Sequence, residues 1–310
     1  MMTVAVTGAA GFLGRHVVGR LAASGYRVRA LTRSGTKLAS ATESLATGDI
    51  IGADLMRLVD GCDVVVNCMA RVHILRREDP VLAERRYRLV NGEFPLRLAD
   101  VARRAGATRF VQLSSVAAVR SLTPAGSVVD DDWSPEPTTP YGISKLLADI
   151  GLAERDREGF RTISLRPPAL IGPGVTAWFA ALAKAARFAV PLPVGRIDNR
   201  RSFAFVGNVA DAVAIAVGQD RSGCFIVTDS EPLSTAALYR KLLNRFGHPD
   251  LVWNWSPELV SGCAHIVLGE RAQSLLGNAA YDGKRFARLF AWEPDVTLDG
   301  AIGMIAGTNK

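Results

Sequence analysis

Short apolar segments alternate with longer amphipathic segments from residue 3 to about residue 170 of the chain. The short segments are rich in β-branched residues, which is typical of strands buried on both faces of a parallel sheet. The longer segments have helical periodicity and can cover such a sheet. The pattern therefore predicts a doubly wound α/β fold. The strand candidates are Thr3–Thr7, Arg27–Leu31, Asp63–Val66, Arg109–Leu113 and Thr162–Leu165, and the helix candidates between them are Phe12–Ser24, Phe94–Ala105 and Tyr141–Glu158.

The pattern changes after Pro167-Pro168, where Pro, Gly and Trp become frequent and the predicted elements become shorter. We expect residues 1–166 to form the sheet domain. Residues 167–310 are expected to form a smaller mixed α/β lobe, which need not be a separate folding unit. The segment Ser121–Pro140 follows the fifth strand, and connections of that length are usually functional or mobile. The helix candidates of the second lobe are Thr176–Arg187, Val209–Val217, Thr235–Phe246, Glu258–Leu268 and Gly283–Ala291.

The composition is that of a protein with a large core. Of 310 residues, 48% are hydrophobic and 22% are charged, which argues against a disordered chain. The apolar runs are shorter than the roughly 20 residues of a membrane helix, and the N-terminal residues do not resemble a signal peptide. The cysteines are far apart, as expected for reduced thiols, so we expect a cytoplasmic protein without a membrane span. These cysteines are Cys62, Cys68, Cys224 and Cys263.

The net charge is +7, which favours anionic partners. The arginines come as scattered pairs, such as Arg76-Arg77 and Arg103-Arg104, and not as one stripe interleaved with aromatic residues. We therefore expect no nucleic-acid partner. The four histidines lack the spacing of metal ligands, so we expect no metal site.

A glycine-rich turn, Thr7–Gly14, follows the first strand and opens the first helix. Its first glycine permits a tight turn, the second lets a pyrophosphate approach the backbone, and the third lets the helix pack closely on the sheet. The helix N-terminus points free N–H groups and its positive dipole end at the phosphates. This context indicates a Rossmann-type dinucleotide site. The cofactor-binding candidates of the turn are Gly8, Gly11, Phe12, Leu13 and Gly14.

The end of the second strand carries Arg33, 19 residues after Gly14, where an NAD site usually has an acid for the ribose 2′-hydroxyl. An arginine suits a 2′-phosphate, so NADP(H) is preferred and NAD(H) remains an alternative. Arg33 could instead stack on the adenine or face water. Asp49, before Ile50, follows a third strand and is a candidate acceptor for the adenine amino group, although Asp is also common in turns.

Tyr141 and Lys145 lie four residues apart, on one face of a predicted helix. Free tyrosine has a pKa near 10, and an ammonium group together with a positively charged nicotinamide is expected to lower it by roughly 2–3 units. Lys145 can also bind the cofactor ribose. Ser115, at the end of the fifth strand, is our candidate for a hydrogen bond to the substrate oxygen, with Ser114 as the alternative. The pattern predicts a Ser-Tyr-Lys catalytic set.

Together these residues resemble the extended short-chain dehydrogenase/reductase family of NAD(P)-dependent epimerases and dehydratases, over nearly the whole chain. The resemblance implies cofactor contacts near Ala70 in Asn67–Ala70, at Asn91 in Val90–Gly92, and at Pro168 in Leu165–Gly174. It also implies that Arg201, in Arg201–Val206, holds the diphosphate of a sugar nucleotide, a role that suits a bidentate guanidinium.

The stretch Ala70–Ile74 is similar to bacterial UDP-sugar 4-epimerase-like proteins, including 4-reductases. Since NADPH is the usual donor for synthesis, Arg33 slightly favours a 4-keto-sugar reductase over a UDP-glucose or UDP-N-acetylglucosamine 4-epimerase. Val116-Ala117 after Ser115 lacks the acid of a dehydratase, so dehydration is not expected. A non-catalytic NADP(H)-binding sensor is a third alternative. The resemblance implies a homodimer, and Trp178 is a further substrate-binding candidate.

The resemblance has two departures near the substrate. Gly207-Asn208 stands where the family usually has Asp after the Arg-containing segment, and Arg120-Ser121 replaces the usual Tyr-Gly after the serine strand. Both put the fit of a particular sugar in question.

Overall fold

The computed structural model describes residues 1–72, 78–175, 177–268 and 272–307. A parallel seven-stranded sheet, in the order β3-β2-β1-β4-β5-β6-β9, forms the centre of this part of the chain, and β7 and β8 pair in parallel beside it. The strands are β1 Thr3–Thr7, β2 Arg27–Thr32, β3 Glu43–Ala46, β4 Val64–Asn67, β5 Arg109–Leu113, β6 Arg161–Arg166, β7 Ala169–Ile171, β8 Phe203–Phe205 and β9 Gly223–Ile226.

Helices connect the strands and cover both faces of the sheet, which confirms the predicted doubly wound Rossmann-type fold. The predicted helix Tyr141–Glu158 ends earlier than expected, at Ala153. The helices are α1 Phe12–Ala23, α2 Leu55–Val59, α3 Pro80–Tyr87, α4 Phe94–Arg104, α5 Pro140–Ala153, α6 Ala177–Arg187, α7 Val206–Gly218, α8 Thr235–Arg245, α9 Pro257–Leu268, α10 Ala272–Leu276, α11 Lys284–Phe290 and α12 Leu298–Gly307.

Alternate residues of the central strands face opposite layers of helices. Val4 and Val6 of β1 pack in one core cluster with α1, α7 and α11, whereas Ala5 packs in another with α2, α4 and α5. All three residues are fully buried. This two-sided burial explains why the strands are apolar at consecutive positions, since a strand between two helix layers has no solvent face.

The second lobe has its own apolar cluster, formed by α6, α8 and α12 around Phe179, Tyr239 and Ile302. However, α7 and β9 return to the central sheet, where β9 pairs with β6 and α7 packs beside α1. Two elements after residue 166, β9 and α7, thus belong to the sheet and its helix layer. The predicted division at residue 166 stays a prediction. In the described residues, no helix has the length and apolar character required to cross a membrane.

The long segment Ser121–Pro140 packs between the sheet and the second lobe. Val129 is fully buried, and its N–H donates to the Ala280 carbonyl at 3.0 Å. The Asp131 carboxylate accepts a hydrogen bond from the Ile226 N–H of β9 at 2.6 Å. These contacts hold the segment across the carboxyl end of β9, close to the edge where a ligand would bind.

Candidate active site

The glycine turn has the backbone geometry that a pyrophosphate-binding turn requires. Gly8 has φ +64°, and a Cβ there would lie 2.8 Å from the Met69 nitrogen. A Cβ on Gly14 would lie 2.1 Å from the Gly8 carbonyl oxygen, and one on Gly11 would lie 3.0 Å from it. The turn therefore has no room for side chains at these positions, and its backbone is left open to a ligand.

The N-terminus of α1 has the character of an anion site. Gly11 is its N-cap residue, without a side-chain hydrogen bond, and the first turn of the helix carries no acidic residue. Phe12 and Leu13 begin the helix and are partly buried. Without a capping side chain or a carboxylate, the positive end of the helix dipole is available for phosphate.

The ends of β2 and β3 carry the candidates for the adenosine half of the cofactor. Arg33 is exposed at the end of β2, and its carbonyl accepts from the Gly48 N–H at 3.0 Å. Asp49 is also exposed, and its carboxylate accepts from the Ile51 N–H at 3.2 Å. Ile50 is 8% exposed and belongs to the core. Arg33 is thus open to a ligand, whereas Asp49 is partly engaged in its own turn.

A buried chain of polar side chains links the ends of three adjacent strands. The Thr7 hydroxyl of β1 donates to the Asn67 amide oxygen of β4, and the Asn67 nitrogen donates to the Gln112 oxygen of β5 at 2.8 Å. All three residues are fully buried. Satisfied buried networks of this kind hold their elements in one arrangement, so the carboxyl edge of the sheet is rigid. The sequence analysis did not predict this network.

Tyr141, Lys145 and Ser115 come together at the end of β5. The Tyr141 and Ser115 side chains are hydrogen-bonded. The Lys145 ammonium lies 5.9 Å from the centre of the Tyr141 ring and donates to the Leu113 carbonyl at 2.7 Å. Ser115 also accepts from the Ala117 N–H at 3.2 Å, as N-cap of the short 3-10 turn Val116–Ala118. The predicted catalytic set is thus assembled, with hydroxyl, phenol and ammonium on one side of the helix.

Burial shifts the pKa values of both titratable members of this set. The pKa of Tyr141 is raised to about 12, mainly by burial, although the hydrogen bond from Ser115 opposes the rise. The pKa of Lys145 is lowered to about 8, again by burial, with Asp149 and Cys68 opposing the shift. The expected lowering of the tyrosine pKa was for Lys145 together with a positively charged nicotinamide, and it stays a prediction; in the chain by itself, desolvation is the main influence on this pKa.

Helix α5 packs closely on its neighbours, which fixes the height of its catalytic residues. Thr139 caps the helix by accepting from the Gly142 N–H at 3.1 Å. A Cβ on Gly142 would lie 2.3 Å from the Ala117 carbonyl oxygen, and one on Gly92 would lie 2.7 Å from the Leu147 side chain. Glycines at these crossings let α5 approach both the Ser115 turn and the preceding helix.

Asn91 joins the segment after β4 to α5. It lies in a π-helical turn, Arg88–Glu93, between α3 and α4. Its side-chain nitrogen donates to the Arg71 carbonyl at 2.9 Å and to the Ser144 hydroxyl at 3.3 Å, and its oxygen accepts from the Arg71 N–H at 2.8 Å. π turns are frequent at functional sites. Asn91 is fully buried, and its hydrogen bonds to Arg71 hold the segment that begins with Ala70 in place.

Tyr87 extends the site on the side of α3. Its ring meets the Tyr141 ring edge-on at 6.1 Å, and the Arg71 guanidinium lies over it at 5.4 Å. Arg71 also pairs with Glu78. The sequence analysis did not predict this group of side chains, because no spacing in the sequence connects Arg71, Tyr87 and Tyr141.

Ser114, the alternative to Ser115, is engaged in a buried hydrogen bond. It is 5% exposed, and its hydroxyl donates to the Asp149 carboxylate at 2.9 Å. The same carboxylate oxygen accepts from Arg166 Nε of β6 at 2.8 Å. Ser115, the next residue, is hydrogen-bonded to Tyr141 instead. A substrate contact by Ser114 stays a prediction.

Arg201 is buried on the second lobe. It is 6% exposed, and its Nη1 donates to the Gly277 carbonyl at 2.7 Å. Burial lowers its pKa to about 10, with Tyr281 opposing the shift, so it stays cationic at neutral pH. The Tyr281 hydroxyl donates to the Arg120 carbonyl at 2.7 Å, at the start of the long segment after Ser115. A diphosphate contact by Arg201 stays a prediction.

Other predicted contacts lie at the edges of the site. Pro168 is buried at the end of β6, next to Pro167, whose carbonyl accepts from the Val116 N–H at 3.2 Å. Ala70 is partly buried after β4. The side chain of Trp178 lies outside the described part of the structure, as do His73 and Ile74 of the similarity segment.

The site fits a nicotinamide dinucleotide on two structural grounds. The glycine turn leaves its backbone uncovered beside an uncapped helix N-terminus, and the buried Lys145 ammonium stands at the other end of the same edge. The first feature suits a pyrophosphate and the second a ribose hydroxyl. Gly8, Gly11 and Lys145 are the residues that would hold the group.

Such a site is that of a dinucleotide-dependent oxidoreductase or isomerase. The chain belongs to the NAD dependent epimerase/dehydratase family, whose model matches residues 4–225. It is 27% identical over 309 residues to a UDP-glucose 4-epimerase of Vibrio cholerae, with 96% of this chain and 92% of the relative covered. It is 29% identical over 322 residues to a UDP-glucose 4-epimerase of Mycolicibacterium smegmatis, with 97% and 96% covered.

Reductases also occur among the relatives. A 4-hydroxy-2-methyl-3-oxo-4-farnesyl-3,4-dihydroquinoline-1-oxide ketoreductase of Stigmatella aurantiaca is 28% identical over 277 residues, with 86% of this chain and 79% of the relative covered. The family therefore contains both isomerases and reductases at similar distance from this chain.

Solved structures with the same fold cover the whole chain. The UDP-N-acetylglucosamine 4-epimerase from Bacillus cereus superposes with a TM-score of 0.80 at 20% identity, over 100% of both chains. MoeE5 in complex with UDP-glucose and NAD gives 0.77 at 22% identity, over 99% of this chain and 98% of that one. RMD from Pseudomonas aeruginosa complexed with NADPH gives 0.74 at 20% identity, over 99% of both. At these identities the likeness shows the fold alone.

Proposed function

We propose that this protein is a UDP-sugar 4-epimerase that acts on UDP-glucose or UDP-N-acetylglucosamine. The observation that carries the proposal is the hydrogen bond between Ser115 and Tyr141, one helical turn from Lys145. Two UDP-glucose 4-epimerases that align along almost the whole chain support the choice of substrate. They favour epimerisation over the reductase that Arg33 suggested.

The chemistry requires a proton to leave the C4 hydroxyl while a hydride leaves C4. A bound nicotinamide dinucleotide would supply the hydride acceptor and donor, and Gly8, Gly11 and Lys145 would hold it. Tyr141 takes the hydroxyl proton in the first half of the reaction and returns it in the second. The Ser115 hydroxyl binds the same sugar oxygen, and Lys145 binds the ribose and stabilises the phenolate.

The raised pKa of Tyr141 has a consequence for this mechanism. At a pKa of about 12 the phenol is protonated at neutral pH, so the chain without its cofactor has no base. A bound oxidised nicotinamide would supply a positive charge, which favours a phenolate. We therefore infer that Ser115 and Lys145 alone leave the phenol protonated at neutral pH.

A 4-keto-sugar reductase is the second candidate function. Arg33 is exposed where a 2′-phosphate would lie, and a ketoreductase is among the relatives. A reductase uses the same three side chains, with Tyr141 as the acid. The two candidates differ in cofactor use, because an epimerase regenerates its cofactor in each turnover and a reductase consumes it.

One experiment tests both. The purified protein is incubated with UDP-glucose or UDP-N-acetylglucosamine without added cofactor, and separately with a UDP-4-keto sugar and NADPH. Formation of the 4-epimer, followed by chromatography of the UDP-sugars, supports the epimerase. Loss of NADPH absorbance in the second reaction, without isomer in the first, replaces it with the reductase. Neither product in any reaction overturns a UDP-sugar function.

A further inference from the structure

One face of α5 contacts three consecutive residues at the end of β5. Tyr141 is bonded to Ser115, Lys145 donates to the Leu113 carbonyl at 2.7 Å, and Asp149 accepts from the Ser114 hydroxyl at 2.9 Å. The three helix residues are spaced four apart, so they lie on one face of the helix. Lys145 and Asp149 are each only 1% exposed, so the second and third contacts are buried.

Asp149 is a buried carboxylate with a cation on two sides. Arg166 Nε donates to it at 2.8 Å, and the exposed fractions of the two side chains are 7% and 1%. Lys145 lies one turn earlier on the same helix and interacts with it electrostatically. Isolated buried charges are costly and persist when they are paired. The strand β6 and the helix are thus joined through one carboxylate.

That carboxylate is engaged through only one of its two oxygens. Both Ser114 and Arg166 bond to Oδ2, whereas Oδ1 is buried and has no hydrogen-bond partner in the described residues. A carboxylate retained for packing alone would gain from satisfying both oxygens. The arrangement places its charge between Lys145 and the serine turn at the cost of one unpaired oxygen.

We propose that Asp149 is a positioning residue of the active site. It holds Ser114, and with it the Ser115 turn, in the position where Ser115 bonds to Tyr141. It also keeps the Lys145 ammonium in place. The proposal rests on the proposed function for the reaction that Tyr141 and Ser115 perform. Asp149 contacts neither substrate nor cofactor and acts through Ser114 and Lys145. No recurring sequence pattern used above singled it out.

The charges around this cluster set the expected pH effect. Lys145 is faced by Asp149 of its own helix and by the Cys68 thiol after β4. Asp149 in turn lies near Arg166 of β6 and Cys224 of β9, and Asp131 of the long segment also faces Arg166. Cys68 and Cys224 have pKa values raised to about 12 and are neutral thiols at neutral pH. Asp149 is therefore the negative charge that supports the Lys145 ammonium.

The test compares Asp149→Asn with Asp149→Glu, Ser114→Ala and the control Asp156→Asn. Asp156 is a control because its carboxylate, just after α5, also bonds to β6, accepting from Arg161 and from the Thr162 N–H at 3.0 Å, and within the described residues it has no hydrogen bond to β5. Measurements are kcat and KM for UDP-glucose from pH 6 to pH 9, the dissociation constant of NADH by fluorescence, and thermal unfolding.

We expect Asp149→Asn to lower kcat at least ten-fold with KM changed less than two-fold, and to move the alkaline fall of kcat to lower pH. The shift follows because the Lys145 ammonium loses its supporting charge. Asp149→Glu restores part of kcat, Ser114→Ala lowers kcat without moving the pH profile, and Asp156→Asn keeps kcat within two-fold. If Asp149→Asn loses only thermal stability, as the control does, the proposal is overturned.

The outcome stays decidable if the proposed function fails. If the wild-type protein turns over no UDP-sugar, the proposed epimerase function is overturned. NADH binding then tests the positioning role of Asp149. We compare the fall in NADH affinity between pH 6.5 and pH 8.5 in the two proteins. If the fall is at least ten-fold larger in Asp149→Asn than in the wild type, the positioning role is upheld. An unchanged pH dependence of NADH binding overturns it.

Discussion

The side chains of Ser115 and Tyr141 are hydrogen-bonded to each other across 26 residues of sequence. The serine lies two residues after β5 and the tyrosine is the second residue of α5, and the long segment between them crosses the sheet edge to contact β9 and the second lobe. The bond therefore depends on the packing of three parts of the fold: the end of β5, the long segment and α5. Its chemical importance is tested by removing the phenol.

Tyr141→Phe is expected to lower kcat by about 1,000-fold, because the proton acceptor of the reaction is lost. Dinucleotide affinity and the unfolding temperature should change little. The matched control is Tyr239→Phe, which removes a hydroxyl bonded to the Val190 carbonyl in the second lobe. Steady-state kinetics and fluorescence titration check both variants. Turnover by Tyr141→Phe at the wild-type rate would contradict the role of Tyr141 as the proton acceptor.

Gly14→Ala is expected to abolish dinucleotide binding, because the new Cβ would lie 2.1 Å from the Gly8 carbonyl oxygen and force the turn apart. Gly19→Ala, in the same helix, is the control. Its Cβ would meet only the Ser40 hydroxyl at 3.9 Å, so we expect a gain of about 0.5–1 kcal/mol in the free energy of unfolding. Calorimetric titration with NADH and NADPH distinguishes them, and normal binding by Gly14→Ala contradicts the turn's assigned role.

Arg33→Ala is expected to weaken NADPH binding by about ten-fold while NADH binding changes less than two-fold, since a charged hydrogen bond to a 2′-phosphate is worth about 1.5–3 kcal/mol. Arg27→Ala removes an equally exposed arginine at the start of the same strand and should leave both affinities unchanged. Equal loss for the two cofactors would show that Arg33 contacts the adenosine without reading the phosphate.

Asp131→Asn is expected to stabilise the protein at pH 7.5 by about 1 kcal/mol, with an effect that shrinks between pH 6 and pH 4 and is absent below about pH 4. Burial raises the pKa of Asp131 to about 6, against opposing contributions from the Ile226 N–H, Arg166 and Arg285. The folded state therefore binds a proton between pH 4 and pH 6 that the unfolded chain does not, and the cost of the buried charge is present above pH 6. Thermal unfolding against pH measures the difference, and one that does not shrink as the pH falls would refute it.

The candidate residues for cofactor binding and catalysis could be predicted because their sequence patterns are local. The glycine turn follows a strand and opens a helix, and Tyr141 and Lys145 are one turn apart on a helix. Each pattern is complete within about a dozen residues, so it depends on backbone geometry that any chain with these residues adopts. The alternation of apolar strands and helices similarly predicted the parallel sheet.

Contacts between distant elements were not predictable in this way. The pairing of Asp149 with Arg166, the chain from Thr7 through Asn67 to Gln112, and the return of β9 to the sheet each join parts of the chain that no periodicity relates. A serine at the end of a strand looks the same in sequence whether it faces the cleft or the core. The packing of α5 decided that Ser115 faces Tyr141 and Ser114 faces Asp149.

The amino-acid sequence by itself determined the fold class and the glycine turn and predicted the candidate catalytic groups, because backbone sterics and helical spacing act over short distances. The tertiary structure decided how those groups are charged. Burial raised the pKa of Tyr141 and lowered that of Lys145, and desolvation depends on every element that closes over a residue and not on its neighbours in sequence.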